Sequence, residues 1–372
     1  MPGNPNASPY TFARYGQSSA EVSELLPHLS GVVDDLAIVR SGVTNRIDHG
    51  EALLMMHTGR PTPGFPTIGS WISYALGTEN QNLPSYVSMS NVTAYRERVA
   101  TGSAFLPSLY QGTPMNWKGG GDPFAFLSPP TGQGDKSKRQ RDYLQLTQAL
   151  NRSHLESRRE LEELDSRIQN FELAARMQVE AMESIDVSRE SEATRRLYGI
   201  GKEPTNDFGM RCLMASRLVE SGVRYVHLLH HDWDHHSKLS VGLPNSCRQM
   251  DQPIAALLRD LKQRGLLDET LVVWTGEFGR LPTVEANDGR DHKPHGFSFW
   301  LAGGGIEPGI TYGATDEFGY KAIENPVSVH DLHATMQQLV GVDPHANTFD
   351  FEGREETLIG VEPARVVEPL LA

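Results

Sequence analysis

Between positions 208 and 339 short apolar runs alternate with longer amphipathic ones. The reading is helix 208–221, strand 223–229, helix 252–264, strands 270–275 and 297–302, then helix 330–339. Strands separated by helices are joined by crossovers rather than hairpins, which predicts an α/β fold with a mainly parallel sheet covered by helices on both faces. Ligands in such sheets bind beyond the carboxyl ends of the strands. The first third repeats the rhythm. A helix is expected over 19–33, where Val22, Leu25, Leu26, Leu29 and Val32 recur at helical spacing, then a strand over 35–43 and a helix over 51–56 that stops at Thr58-Gly59. A helix over 68–76 and a strand over 84–89 follow.

Two stretches interrupt this pattern within what reads as a single domain, 1–372. Residues 101–135 are rich in Gly, Pro and Ser, including Gly119-Gly120-Gly121 and Pro129-Pro130, and are expected to form an irregular surface excursion. From Lys136 the chain turns highly charged, and Leu146, Leu150, Leu161, Leu164, Ile168, Phe171 and Ala175 recur at steps near a helical turn. Residues 136–190 are therefore expected to be a helical insertion of two helices or one broken one. Its apolar stripe would seal against the main domain or against a second copy, which leaves a homodimer open.

The formal net charge of −13 opposes nucleic acid as a partner. A phosphate or sulfate ester would need a local cation to offset the same field. No run approaches the ~20 apolar residues of a membrane-spanning helix, and residues 1–6 carry no export signal. Cys212 and Cys247 stand apart and read as isolated thiols.

Of 14 histidines, seven fall between His227 and His295, and acidic residues gather with them. After one strand comes His230-His231-Asp232-Trp233-Asp234-His235-His236. After the next comes Gly276-Glu277-Phe278-Gly279-Arg280, and just before a third lies Gly289-Arg290-Asp291-His292-Lys293-Pro294-His295-Gly296. Carboxylates and imidazoles on three loops at neighbouring strand ends form the donor set that a divalent cation requires. Each loop alone is weak evidence, because Asp and His also serve as ordinary turn and cap residues.

The segments WDHH, CRQMDQPIAALLRDLKQRGLLDETLVVWTGEFGR, GRDH, FSFWLAGGG, TYGATDEFGY and VHDLHAT, in this order, resemble the family labelled domain of unknown function 1501. That family is abundant in planctomycete-type bacteria and described as sulfatase-like, within the alkaline phosphatase superfamily. The resemblance extends to GSWISYALGTENQNLP, YLQLTQALN and FELAARMQ, and so covers nearly the whole chain.

The resemblance implies an alkaline-phosphatase-like domain and a metal held by Asp234, His236 and His292, with Asp232 and His295 as competing ligands. Glu277 stands where the pattern places an Asp of a second metal site, and is expected to ligate the ion or orient a water; Phe278 stands in the place of a histidine ligand. The pattern's first strand, with its Gly-Gly-x-Ser-x-x-Asp-Thr-Phe-Asp stretch, has no counterpart, so a member missing that strand is expected. Such a sheet would leave two neighbouring strands with open edges near the site. Full-length relatives are implied to be exported to the periplasm.

In the superfamily pattern the nucleophile stands ten residues before the Gly of a Thr-Gly that ends a helix; here the Gly is Gly59 and the residue is His49. His49 is thus a candidate nucleophile, general base or metal ligand, and formylglycine chemistry is not expected. Arg280 and Arg60 are candidate anion binders. The expected function is hydrolysis of phosphate or sulfate esters, of small molecules or polysaccharides, with zinc or calcium. The alternative is a non-catalytic metal-binding or scaffold protein on the same fold.

Overall fold

The structure, a computed structural model, describes residues 7–90, 99–115, 136–156, 162–184 and 186–372. It opens on a hairpin, β1 (Phe12–Tyr15) and β2 (Ala20–Ser23), followed by a 3₁₀ turn at Leu29–Asp35. The helix expected over 19–33 does not form. Ala20 and Val22 point inward while Glu21 points out, the two-residue period of a strand, and Pro27 lies where a continuous helix would need its N–H.

β3 (Leu36–Val43) comes next, then helices α1 (His49–Thr58) and α2 (Ile68–Leu76) and strands β4 (Tyr86–Ser90) and β5 (Thr113–Pro114). Helices α3 (Lys136–Glu156), α4 (Glu162–Ser184), α5 (Glu192–Leu197) and α6 (Asn206–Glu220) lead to β6 (Tyr225–Leu229). Helix α7 (Leu239–Gln263) begins well before the expected 252 and contains Pro244 and Pro253. The remaining strands are β7 (Val272–Trp274), β8 (Gly279–Arg280), β9 (His292–Lys293), β10 (Phe297–Ala302), β11 (Ile310–Tyr312), β12 (Ala314–Thr315), β13 (Ala322–Glu324) and β14 (Val327–Ser328), the last running into helix α8 (Val329–Leu339).

The expected mainly parallel sheet is instead a mixed one, in two pieces. The larger has the order β11-β3-β10-β7, with β14 added beside β3, and β10 runs antiparallel to both its neighbours. No helix separates β7 from β10, so the chain returns in the opposite direction and needs no crossover. The smaller sheet, β5-β4-β6, is wholly parallel. Among the described residues nothing pairs with β6 on the side away from β4, or with β7 on the side away from β10. Both edge strands are only half-buried, and both rest on the α6 and α7 layer, through Leu228 and through Val272 and Trp274.

One core cluster packs β3 and β10 against α1, α2 and α8 around Val39, Trp71, Phe299 and Leu332. On the other face Leu36, Trp300 and Ala302 meet Leu213, Met250, Ala255 and Leu258 of α6 and α7. A buried network joins those two helices: Arg217, Tyr198 and Ser216 all donate to Asp260 Oδ2, at 2.9, 2.9 and 3.1 Å.

The expected helical insertion contains α3 and α4. Leu173 and Met177 pack with the cluster under β4, and Ser166 Oγ accepts the Leu109 N–H at 3.0 Å. Leu146, Leu150 and Phe171 of the expected stripe are instead exposed, at 61, 61 and 74%. Phe171 lies about 200° around the helix from Leu173 and so faces away from the seated side. Leu161 and positions 116–135 lie outside the described residues, and nothing is described for the Ala175 side chain. No described helix is long and apolar enough to cross a membrane.

Candidate metal centre

The expected site residues sit at the start of a helix, in loops after two strands, and on a short β-ribbon. His49 opens α1, where the Asp48 carboxylate caps the helix by accepting the Gly50 and Glu51 N–H groups at 2.9 and 3.3 Å. Asp234 and His236 follow β6 in a loop whose Asp232 and Lys238 take left-handed backbone conformations, φ +74° and +54°. Glu277 follows β7, and Arg280 and His292 are paired residues of the β8–β9 ribbon.

Four of these side chains converge. Donor atoms of His49, Asp234, His236 and His292 all lie within 4.8 Å of one another. Asp234 is the hub: its Oδ1 lies 3.0 Å from His236 Nε2 and 3.3 Å from His292 Nε2, and its Oδ2 lies 3.1 Å from His49 Nε2. The two Nε2 atoms of His236 and His292 are 3.0 Å apart.

The far side of every ring is already engaged. His292 Nδ1 meets the Ile47 carbonyl oxygen at 2.5 Å, His49 Nδ1 meets Glu277 Oε1 at 2.6 Å, and His236 Nδ1 meets Glu285 Oε2 at 2.7 Å. A carbonyl only accepts, so Nδ1 of His292 carries the hydrogen and its Nε2 is a lone pair in the neutral ring. Carboxylates assign His49 and His236 the same way. With all three rings neutral, three Nε2 lone pairs and a carboxylate thus face one point, where His49 Nε2 is buried. Such a convergence of electron pairs is stable only around a positive charge.

Arg280 supplies part of that charge, since its guanidinium donates to Asp234 Oδ1 at 2.5 Å. Burial would raise the Asp234 pKa, but the Arg280 guanidinium and the neighbouring His49 ring hold it well below the usual carboxylate range. The bond to Glu277 raises the His49 pKa against the opposing effect of burial. Phe278 closes one side, with its ring centroid 5.0 Å from that of His49 and 4.3 Å from that of His292.

The other candidates lie elsewhere. Glu277 stands behind His49 rather than among the converging atoms. Asp232 Oδ1 is 2.6 Å from His231 Nδ1, and neither Asp232 nor His295 belongs to the cluster. Arg60 spends its guanidinium on the Gly59 and Ile359 carbonyls at 3.2 and 3.4 Å. Glu285 and the Ile47 carbonyl escaped the sequence reading, because nothing local distinguishes one more Glu in a polar loop or a backbone oxygen.

The family comparison matches residues 3–371 to the protein family of unknown function DUF1501. The chain belongs to the DUF1501 family. No curated protein matches it. Among solved structures it is similar to Ps i-CgsB, at 12% identity and a TM-score of 0.41 over 86% of this chain and 67% of that one. It is also similar to the PsFucS1 sulfatase from Pseudoalteromonas sp., at 14% identity and 0.40 over 85% and 62% of the two chains. The phosphonate monoester hydrolase SpPMH from Silicibacter pomeroyi gives 12% identity and 0.37 over 93% and 71%.

Proposed function

We propose that this DUF1501 protein is a metal-dependent hydrolase of phosphate or sulfate esters whose ion is held by His49, Asp234, His236 and His292. The observation that carries the reading is the shared orientation of the three imidazoles, each with Nδ1 engaged behind and Nε2 turned toward Asp234. Three nitrogens and one carboxylate fit zinc, which favours four such donors; calcium, which takes six to eight oxygens, is not suited. When bound, such an ion polarises an ester oxygen and lowers the pKa of a bound water.

The chain's own groups do the rest. Arg280 places a planar cation beside the centre, suited to the edge of a phosphate or sulfate group. Glu277 fixes the ring of His49. Phe278 excludes water from one side. The proposed substrate is a small-molecule or polysaccharide ester.

The engagement of His49 also favours a second reading, a metal-binding protein without turnover. The residue in the nucleophile place is held between Glu277 and Asp234, and Phe278 fills the place of a further ligand. A panel of aryl phosphate, aryl sulfate and phosphonate esters, run with zinc-loaded protein, separates the two. Zinc-dependent turnover lost in Arg280→Ala supports the hydrolase. Stoichiometric zinc without turnover on any ester supports the second reading.

A further inference from the structure

The turn at 285–290 is stitched to the loop that carries Asp234 and His236. The Glu285 N–H donates to the Gly289 carbonyl at 2.9 Å and the Gly289 N–H returns to the Glu285 carbonyl at 2.7 Å, with Ala286 and Asn287 left-handed at φ +33° and +73°. The Arg290 N–H donates to the His235 carbonyl at 3.0 Å. Asp288 Oδ2 accepts the Ser240 N–H and hydroxyl at 3.0 and 2.7 Å. A Cβ on Gly289 would lie 1.9 Å from the His236 carbonyl oxygen, so only glycine lets the two backbones approach this closely. All these ties hold one carboxylate, Glu285, at 2.7 Å from His236 Nδ1.

We infer that Glu285 is a positioning residue, which binds the Nδ1–H of His236 so that Nε2 faces the point shared with Asp234, His49 and His292. A carboxylate behind an imidazole ligand fixes the ring's tautomer and angle and raises its basicity. Asp291 does not take this place, because its Oδ1 lies 4.0 Å from His236 Nδ1 and accepts the His292 N–H at 2.7 Å. The inference rests on the metal reading above, and on a different residue from any proposed there as a ligand.

The test is calorimetric titration of zinc chloride into the metal-free full chain, with the unfolding midpoint of each metal-free protein measured alongside. Glu285→Gln, which keeps the side chain's shape and one oxygen acceptor, is expected to weaken zinc binding about 10-fold, and Glu285→Ala by about 10- to 100-fold. Gly289→Ala, which keeps the Glu285 side chain but pushes the turn that carries it off His236, should weaken binding as well. Metal-free unfolding midpoints of the two Glu285 variants should match wild type, because Glu285 is partly exposed and acts only through the ring. Glu317→Gln, an exposed carboxylate elsewhere, should leave binding unchanged. Unaltered affinity in both Glu285 variants overturns the positioning role while leaving the metal centre standing. Two ions per wild-type chain, one of them lost in Glu285→Ala, overturns it too, since Glu285 would then be a ligand. A wild-type chain that takes up no zinc removes the centre itself.

Discussion

Acidification should destabilise this protein through its buried histidines, His227 and His333 among them. His333 is 1% exposed, and its Nε2 donates to the Met56 carbonyl at 2.8 Å while its Nδ1 has no partner. Part of His227 reaches the surface, yet its Nδ1 is sealed from solvent, again unpartnered. Its ring lies 4.8 Å from that of His57, and all three imidazoles resist a charge because of burial. Burial pushes His227 and His333 each down to about 4. The unfolded chain binds these protons near pH 6.5. A depressed folded pKa gives stability that is full above the unfolded value and is lost as pH falls toward the folded one. At pH 5 the loss is about 2 kcal/mol per residue, a large fraction of a typical domain's 5–15 kcal/mol. Urea unfolding at half-unit steps from pH 8 to 5 measures it. His227→Leu combined with His333→Gln, where the amide can keep the bond to Met56, should flatten the fall between pH 6 and 5 by about 2 kcal/mol. A double variant whose stability falls with pH as steeply as wild type refutes the reasoning.

Asp260→Ala should destabilise the chain by about 3–5 kcal/mol in the same urea assay, because it removes the buried acceptor shared by Arg217, Tyr198 and Ser216 and one of the carboxylates that neutralise Arg217; a loss under about 1 kcal/mol would contradict this. Leu146→Glu with Leu150→Glu should leave stability within about 0.5 kcal/mol, since both side chains are exposed. We propose that this face joins two copies, in which case the same pair shifts the hydrodynamic mass from dimer toward monomer, whereas a wild type that sediments as a monomer at all concentrations rejects the proposal.

Much of the architecture was legible because it rests on periodicity that local sequence carries. The runs at β3, α1, α2, β4, α6, β6, β7, β10 and α8 appear within a few residues of their expected places. What failed depended on partners distant in sequence. The apparent helical spacing from Val22 to Val32 was overridden by Pro27 and by the pairing of β2 with β1. Strand direction at β10 was hidden because an apolar run reads the same whichever way it pairs. In the site, Asp234, His236 and His292 stood out as clustered donors, but the company of His49 and the place of Glu277 follow from a contact between residues 228 positions apart. Among the described residues β6 and β7 each end their own sheet on one side, in two separate sheets.

The central claim is a single metal ion among His49, Asp234, His236 and His292, and zinc titration combined with X-ray absorption of the loaded protein tests it most directly. The account predicts one zinc per chain with three nitrogens and one oxygen from the protein, calcium unable to displace it, and binding lost in Asp234→Asn. Absence of zinc uptake, displacement by calcium, or an Asp234→Asn variant that binds as wild type does would contradict it.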